Sequence, residues 1–188
     1  FSPLSPEVFT DINVFEQDCA RMSKISKGQV KEIQLLGGEP LLHPQINSFM
    51  RIVREYFPTN TINIISNGTL LKKKKEDFWE SCRQYNINIV VTKYPIKIDY
   101  KSIEEHAKAQ NVSFSYYGNT DVVEKTMQLI PLDLEGKQNP RDSFLRCSRA
   151  NRCVALDNGK IYPCSLIPYV KYFNKSFDKN LPVSEGDY

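Results

Sequence analysis

The sequence predicts an α/β fold in which parallel strands alternate with helices. Predicted strands begin near residues 30, 61, 87 and 112, about 25 to 31 residues apart, which is the length of one strand plus its crossover helix. The strands are apolar on both faces and the helices between them are amphipathic, as in a parallel sheet covered by helices. An open doubly wound sheet and a barrel both fit. In either, ligands bind just after the strands end.

The elements follow one another without long gaps. They are a helix over residues 11–26, a strand over 30–36, a helix that begins at Pro44 and is closed by Pro58, a strand over 62–65, a helix over 72–85, a strand over 87–92, a helix over 100–109 and a strand over 112–116. Ser102 and Glu105 are spaced like a capping box at the start of the last helix.

The alternation fades after residue 118, which predicts two parts: residues 1–130, an α/β domain, and residues 131–188, a smaller extension. Within the extension, Asn158-Gly159 predicts a hairpin over residues 154–162, because this dipeptide suits a turn that needs positive φ. The chain starts at Phe1 in what reads as a loop, so we expect a further segment upstream.

Composition and charge exclude several classes of protein. The net charge is only +3, with 25 basic and 22 acidic residues, so nothing indicates nucleic acid as a partner. The run Lys72–Lys75 is interpreted as the solvated first turn of a helix. No apolar run approaches the roughly 18–20 residues of a membrane span, and the given sequence does not start with a basic-then-apolar signal segment, so we expect no membrane association and a cytoplasmic location.

Two strand-end loops are candidates for a ligand site. Gly37-Gly38-Glu39-Pro40 follows the first predicted strand; its glycines would let backbone approach a ligand, and Glu39 could pair with an ammonium group. Ser66-Asn67 follows the second strand and would face the same crevice if the sheet is parallel. Taken singly, each loop is equally compatible with a structural turn. His43, beside the first loop, is assigned a structural role.

The five cysteines divide into two groups. Cys19 and Cys82 lie on apolar helix stripes and are interpreted as packed side chains. Cys147-x5-Cys153-x10-Cys164 is a candidate metal site, because a hairpin would return Cys153 and Cys164 to each other. Thiolates select zinc or iron–sulfur clusters. Unligated cysteines and a zinc site with an unidentified fourth ligand remain alternatives; we favour an iron–sulfur cluster.

The order of three motifs resembles radical S-adenosylmethionine (SAM) enzymes. Residues 33–44, centred on Gly37-Gly38-Glu39-Pro40, resemble the Gly-Gly-Glu-Pro motif of that family, and residues 64–71 are similar to the Thr-Asn-Gly-Thr segment that follows it there. The tail, from Cys147 to Cys164, is similar to the cysteine-rich extension that carries an auxiliary cluster in the SPASM and related branches. Together the motifs span roughly residues 11 to 175.

The resemblance implies a fold, cofactors and site residues. The fold would be a partial (β/α)6 barrel lacking its first strand and cluster loop, with a small cysteine-containing C-terminal extension. SAM, a catalytic four-iron four-sulfur cluster and an auxiliary iron–sulfur cluster at Cys147, Cys153 and Cys164 would be cofactors, and flavodoxin or ferredoxin would donate electrons. The residues that the resemblance assigns to SAM are Gly37, Gly38, Glu39, Pro40, Ser66, Asn67 and Thr92.

One departure from the family affects the functional interpretation. Family members hold the catalytic cluster with a Cys-x3-Cys-x2-Cys loop, and no such spacing occurs here. In the branch that this chain resembles, the loop comes just before a segment like Phe1-Ser2-Pro3-Leu4, so we interpret the absence as truncation and expect this chain alone to be inactive. The predicted function is a radical SAM oxidoreductase that abstracts hydrogen from a carbohydrate or other small molecule. A peptide-modifying SPASM enzyme and a non-catalytic zinc or iron–sulfur module are the alternatives.

Overall fold

The computed structural model describes residues 9–94, 97–118, 133, 135–147, 153–164 and 166–182. These residues belong to two compact units: Phe9–Met127, and Gln128–Tyr188 together with Phe1–Val8. The domain boundary expected between residues 130 and 131 falls outside the described residues and stays a prediction. Within the described ranges, none of the helices has the length and hydropathy that crossing a bilayer requires.

The first unit is a mixed α/β structure built on a parallel sheet. Its elements are α1 (Ile12–Ser26), β1 (Glu32–Leu35), α2 (Ile46–Tyr56), β2 (Thr61–Ser66), α3 (Glu76–Gln84), β3 (Ile87–Val91), α4 (Tyr100–Ala109) and β4 (Phe114–Tyr116). The strands lie in the order β1-β2-β3-β4 and every pairing is parallel. The parallel α/β prediction is therefore confirmed. The four described strands do not close a barrel, and the six-stranded partial barrel stays a prediction.

The strand order determines where the helices lie. Each crossover steps to the next strand in the same direction, and right-handed crossovers then place α2, α3 and α4 on one face of the sheet. Ile62, Ile64, Ile89 and Val91 on that face are buried in the main core cluster. Helix α1 packs on α2, with the rings of Phe15 and Phe49 centred 4.4 Å apart. The core therefore lies between the sheet and its helices.

Several predicted element boundaries are wrong, and local chemistry explains why. Helix α2 begins at Ile46, not at Pro44, after a turn in which the Gln45 amide donates to Nδ1 of His43. The helix expected over 72–85 is split into a 3₁₀ helix, Leu71–Lys73, and α3. Helix α4 is capped by the carboxylate of Asp99, which accepts from the Ser102 amide, so the expected capping box is absent.

The second unit contains short helices and a β-hairpin. Its described elements include α5 (Pro140–Arg146), β5 (Ala155–Asp157), β6 (Lys160–Tyr162) and α6 (Val170–Phe177). Strands β5 and β6 pair antiparallel around Asn158-Gly159, whose φ angles are +49° and +75°. This confirms the predicted hairpin and its positive-φ turn.

Cys19 and Cys82 are buried at 3% and 1% exposure, which confirms the packing interpretation. Burial raises the pKa of each thiol to about 12. The thiolate is the form that binds metals, so these two side chains are unsuited to be ligands.

Candidate functional site

The carboxylate of Glu39 joins the two loops that the sequence singled out. Its Oε1 accepts from the Ser66 hydroxyl at 2.8 Å and from the Leu41 amide at 3.1 Å, and its Oε2 accepts from the Asn67 amide at 2.9 Å. The loop after β1 and the loop after β2 are therefore fastened together at the carboxyl edge of the sheet. The two loops therefore lie side by side, as expected for a parallel sheet, and are in direct contact.

The second loop is shaped by its own side chains. Ser66 is 3% exposed; its hydroxyl donates to Glu39 and accepts from the Gly68 amide at 2.9 Å. The side-chain oxygen of Asn67 accepts from the amide and hydroxyl of Thr69, an Asx turn. Gly68 has φ +80°, and a Cβ there would lie 3.2 Å from a methyl of Val91. The structure thus has a tight turn at Asn67-Gly68, as the sequence predicts, with Gly68 buried.

Thr92 brings a third strand end to the same edge. Its amide donates to the Ser66 carbonyl at 2.9 Å, immediately after β3 ends at Val91. Thr92 is half-buried. The structure therefore brings Glu39, Ser66, Asn67 and Thr92 together, although none of these contacts tests whether they bind SAM.

Gly37 stands in open space. Its φ lies outside the left-handed region, and a Cβ built on it would meet no atom within 4 Å. Neither backbone conformation nor packing within the protein therefore requires glycine at this position. A bare Cα beside a ligand crevice allows a close approach of backbone to a bound molecule. Gly38 is exposed beside it, and Pro40 begins a 3₁₀ helix, Pro40–Leu42.

Glu39 retains capacity for a ligand. A carboxylate offers about four lone-pair positions, and the three protein donors use two on Oε1 and one on Oε2. One acceptor position on Oε2 is left for a donor such as an ammonium group. Glu39 can thus act as a fastener between the loops and as a binding group at once.

His43 has the structural role that the sequence predicts. Its Nδ1 accepts from the Gln45 amide at 3.0 Å, which leaves Nε2 to donate to the Thr10 carbonyl at 3.2 Å. Its ring contacts those of Phe9 and Phe49 with centroids 5.1 Å and 4.5 Å away. These contacts attach the segment before α1 to the loop that follows Glu39.

Lys74 belongs to the site, and sequence reasoning missed it. Its Nζ donates to the Leu41 carbonyl at 2.6 Å, and its side chain is half-buried. Burial lowers the pKa of Lys74, while the carboxylates of Glu39 and Asp77 act in the opposite direction. In the sequence, Lys74 cannot be told apart from the other lysines of the run.

A row of polar side chains crosses the face of the sheet opposite the crossover helices. Gln34, Asn63 and Asn88 are register partners on β1, β2 and β3. Asn88 donates to the Asn63 side chain at 3.0 Å; Asn63 and Gln34 donate to Oε1 of Glu32 at 2.8 Å and 2.7 Å. The expectation that the strands are apolar on both faces is therefore wrong for β1, β2 and β3, because one face carries this polar row. The residues are visible in the sequence as polar interruptions of the apolar runs.

The three candidate metal ligands lie in the second unit. Cys147 and Cys153 are exposed, Cys164 is half-buried, and all three are free. Within the described ranges, no three Cys, His, Asp or Glu side chains form a group that could hold a metal ion. Cys153 and Cys164 occupy opposing register positions two residues beyond the last pair of the hairpin, Ala155 and Tyr162. The metal site stays a prediction.

The first unit is thus an α/β structure in which hydrogen-bonded polar loops lie side by side where the parallel strands end. The structure is similar to that of BtrN in complex with AdoMet and 2-DOIA, with a TM-score of 0.58 and 16% sequence identity over 91% of this chain. The chain spans 65% of the length of that BtrN chain. A second BtrN structure, in an open conformation, matches 58% of this chain and 45% of its own, at 18% identity and a TM-score of 0.41.

The similarity to the AdoMet complex shows a shared fold. No protein-family model matches the chain, and no curated protein sequence matches it.

Proposed function

We propose that the crevice between the loops after β1 and β2 binds SAM, and that the protein is a radical SAM enzyme. The observation that carries this proposal is the bonding of Glu39 to Ser66 and Asn67, which makes a single site from the two family-like motifs. The fold shared with BtrN, solved with AdoMet bound, supports the same ligand class.

The residues present fit the methionine end of SAM. The open space at Gly37 admits a ligand against the backbone, and Oε2 of Glu39 keeps an acceptor position for an ammonium group. Asn67 commits its side-chain oxygen to Thr69, so its amide nitrogen is the group that would donate to a ligand. When bound and reductively cleaved, SAM supplies a 5′-deoxyadenosyl radical that takes a hydrogen atom from substrate.

The catalytic cluster does not fit the cysteines of this chain. The five cysteines lack the Cys-x3-Cys-x2-Cys spacing, and Cys19 and Cys82 are buried thiols with raised pKa values. No step involving that cluster can be assigned to residues of this chain. The function therefore has to be tested on the protein encoded by the whole gene. We further propose that flavodoxin or ferredoxin donates the electrons and that the protein is cytoplasmic.

The polar row supports a carbohydrate or similar hydroxylated small molecule as substrate. Amides of Gln34, Asn63 and Asn88 together with the carboxylate of Glu32 provide both donors and acceptors on one sheet face. Sugar hydroxyls each donate and accept, so such a surface matches them better than an apolar peptide side chain. For this reason we place the peptide-modifying alternative second.

The proposal predicts SAM cleavage that depends on Glu39. The whole-gene protein, reconstituted anaerobically with iron and sulfide and treated with dithionite and SAM, should release 5′-deoxyadenosine. Glu39→Gln should lower that release by about tenfold or more, because an amide NH₂ would face the Ser66, Leu41 or Asn67 donors. The measurement is quantification of 5′-deoxyadenosine by liquid chromatography.

Glu55→Gln is the matched control, since Glu55 is exposed on α2 and its carboxylate pairs with Arg51 one turn earlier. It should leave the release unchanged. Absence of 5′-deoxyadenosine from the reconstituted wild-type protein would end the enzyme proposal and favour a metal-binding module.

A further inference from the structure

Lys74 differs from the other lysines of the run in which it lies. Lys72, Lys73 and Lys75 are exposed, whereas Lys74 is half-buried and its Nζ lies 5.4 Å from the ring centroid of Phe78. Its ammonium group extends from the loop after β2 and donates to the Leu41 carbonyl at 2.6 Å. One lysine of the four is therefore directed at the loop that holds Glu39.

Each of the two loops contributes a side chain that hydrogen-bonds to the other loop. Glu39 reaches from the first loop to Ser66 and Asn67 in the second, and Lys74 reaches from the second loop back to Leu41 in the first. The Leu41 residue is held at both of its backbone groups, because its amide donates to Glu39 and its carbonyl accepts from Lys74. Glu39 and Lys74 thus act on the same short stretch of backbone.

We infer that Lys74 is a positioning residue for the SAM site, which holds the Pro40–Leu42 turn so that Glu39 faces its ligand. The inference rests on the proposed function, because it assigns a role relative to SAM. Removing the ammonium frees the Leu41 carbonyl and lets the turn move relative to the second loop. Outer residues that orient a ligating group typically change affinity by about 10- to 100-fold when they are lost.

Lys74→Met tests the inference, with Lys73→Met as its matched control. Both changes remove one charge from the same run and keep a long side chain, but only Lys74 contacts Leu41. In the reconstituted whole-gene protein, we expect Lys74→Met to weaken SAM binding about tenfold by calorimetry and Lys73→Met to leave it unchanged. Lys74→Arg, which keeps a charged donor, should restore most of the affinity.

Amide hydrogen exchange provides a readout that needs no SAM. Lys74→Met should speed exchange at the Leu41 and Asn67 amides, which both donate to Glu39, and leave that of Ile64 and Ile89 in the sheet core unchanged. A uniform increase at all four amides would indicate a general loss of stability and overturn the inference. So would SAM affinity equal to that of Lys73→Met.

Failure of the proposed function can be distinguished from failure of the inference about Lys74. If the wild-type protein does not bind SAM, the function fails, and Lys74 is then not a residue of a SAM site. If the wild type binds SAM and Lys74→Met binds it equally well, only the inference about Lys74 fails.

Discussion

Gly37 keeps open a space that the rest of the protein does not use. Glycine in a fold is commonly explained by a positive φ or by a neighbour too close for a Cβ, and Gly68 shows both: φ is +80° and a Cβ would lie 3.2 Å from Val91. Gly37 shows neither. The fold therefore requires glycine at position 68 but not at position 37, where the proposed SAM site would provide a reason for it.

This contrast gives a prediction at the scale of single residues. Gly37→Ala should leave the free energy of unfolding within about 0.5 kcal/mol of wild type, because the new methyl meets nothing. It should weaken SAM binding, because the methyl occupies the open space. Gly68→Ala should instead destabilise the protein by about 1–3 kcal/mol through strain and overlap. Urea denaturation and calorimetry measure the two effects.

The outcome that would contradict this interpretation is SAM binding by Gly37→Ala that equals wild type. The space at Gly37 would then have no connection with the ligand.

At the same scale, the sequence predicted some residues of the site and missed others. Glu39, Ser66 and Asn67 were predictable because parallel strands bring their carboxyl ends to one edge. Lys74 was not, because whether a lysine in a run turns inward depends on a carbonyl 33 residues away, at Leu41. Long-range partners of this kind leave no local pattern.

At the scale of elements, Arg54 connects three segments of the α/β unit. Its guanidinium is within hydrogen-bond distance of five backbone carbonyl oxygens, at 2.7 to 3.2 Å; they belong to Phe57, Pro58, Asn60, Tyr85 and Asn86. The end of α2, the turn before β2 and the turn between α3 and β3 therefore share one donor group. A planar guanidinium can serve several acceptors at once, which an ammonium group cannot do in the same geometry.

Arg54→Lys is accordingly predicted to destabilise the unit although charge is conserved. Losing most of these bonds, three of which are partly buried, should lower the free energy of unfolding by about 2–3 kcal/mol. Urea denaturation followed by circular dichroism measures it. Arg51→Lys on the same helix, whose partner is the exposed Glu55, should change it by less than about 0.5 kcal/mol. Equal effects of the two changes would contradict the role of Arg54.

Element types were predictable from the sequence, but several boundaries were not. Periodicity located the four α-helices and four strands that the structure describes in the first unit, because burial repeats along each element. Boundaries depend on which group caps the backbone. Asp99 caps α4, and the His43 side chain accepts a hydrogen bond in the turn before α2. The sequence alone could not identify these two residues, because neighbouring polar residues could have served equally well.

At the scale of the whole molecule, strand order favours one of the two architectures that periodicity left open. A doubly wound sheet reverses its order so that helices cover both faces, whereas β1-β2-β3-β4 runs in one direction and puts its crossover helices on one face. That order is the one a barrel uses, and the opposite face carries the polar row from Glu32 to Asn88. We therefore retain the partial barrel as the proposed architecture, although the described strands do not close.

The second unit supplies the last prediction, because its hairpin brings two thiols to facing positions. Continued two residues beyond the pair of Ala155 with Tyr162, the register would place Cys153 opposite Cys164. Two thiols so placed could share one metal, with Cys147 as the third predicted ligand. The whole-gene protein, reconstituted anaerobically, should then lose iron in the double variant Cys153→Ser/Cys164→Ser. Metal analysis and visible absorption measure it.

Cys19→Ala is the control for that experiment, since Cys19 is a buried thiol whose pKa is raised to about 12 by burial, which makes it unsuited to be a metal ligand. It should retain the iron content of wild type. If the double variant kept its iron, the prediction that these cysteines bind an auxiliary iron–sulfur cluster would be wrong. Zinc in place of iron in the wild-type protein would favour a structural zinc site. Ten residues separate Cys153 from Cys164 in the sequence, but the antiparallel pairing of β5 with β6 folds the chain back on itself, so the two thiols can be proposed as ligands of one metal site.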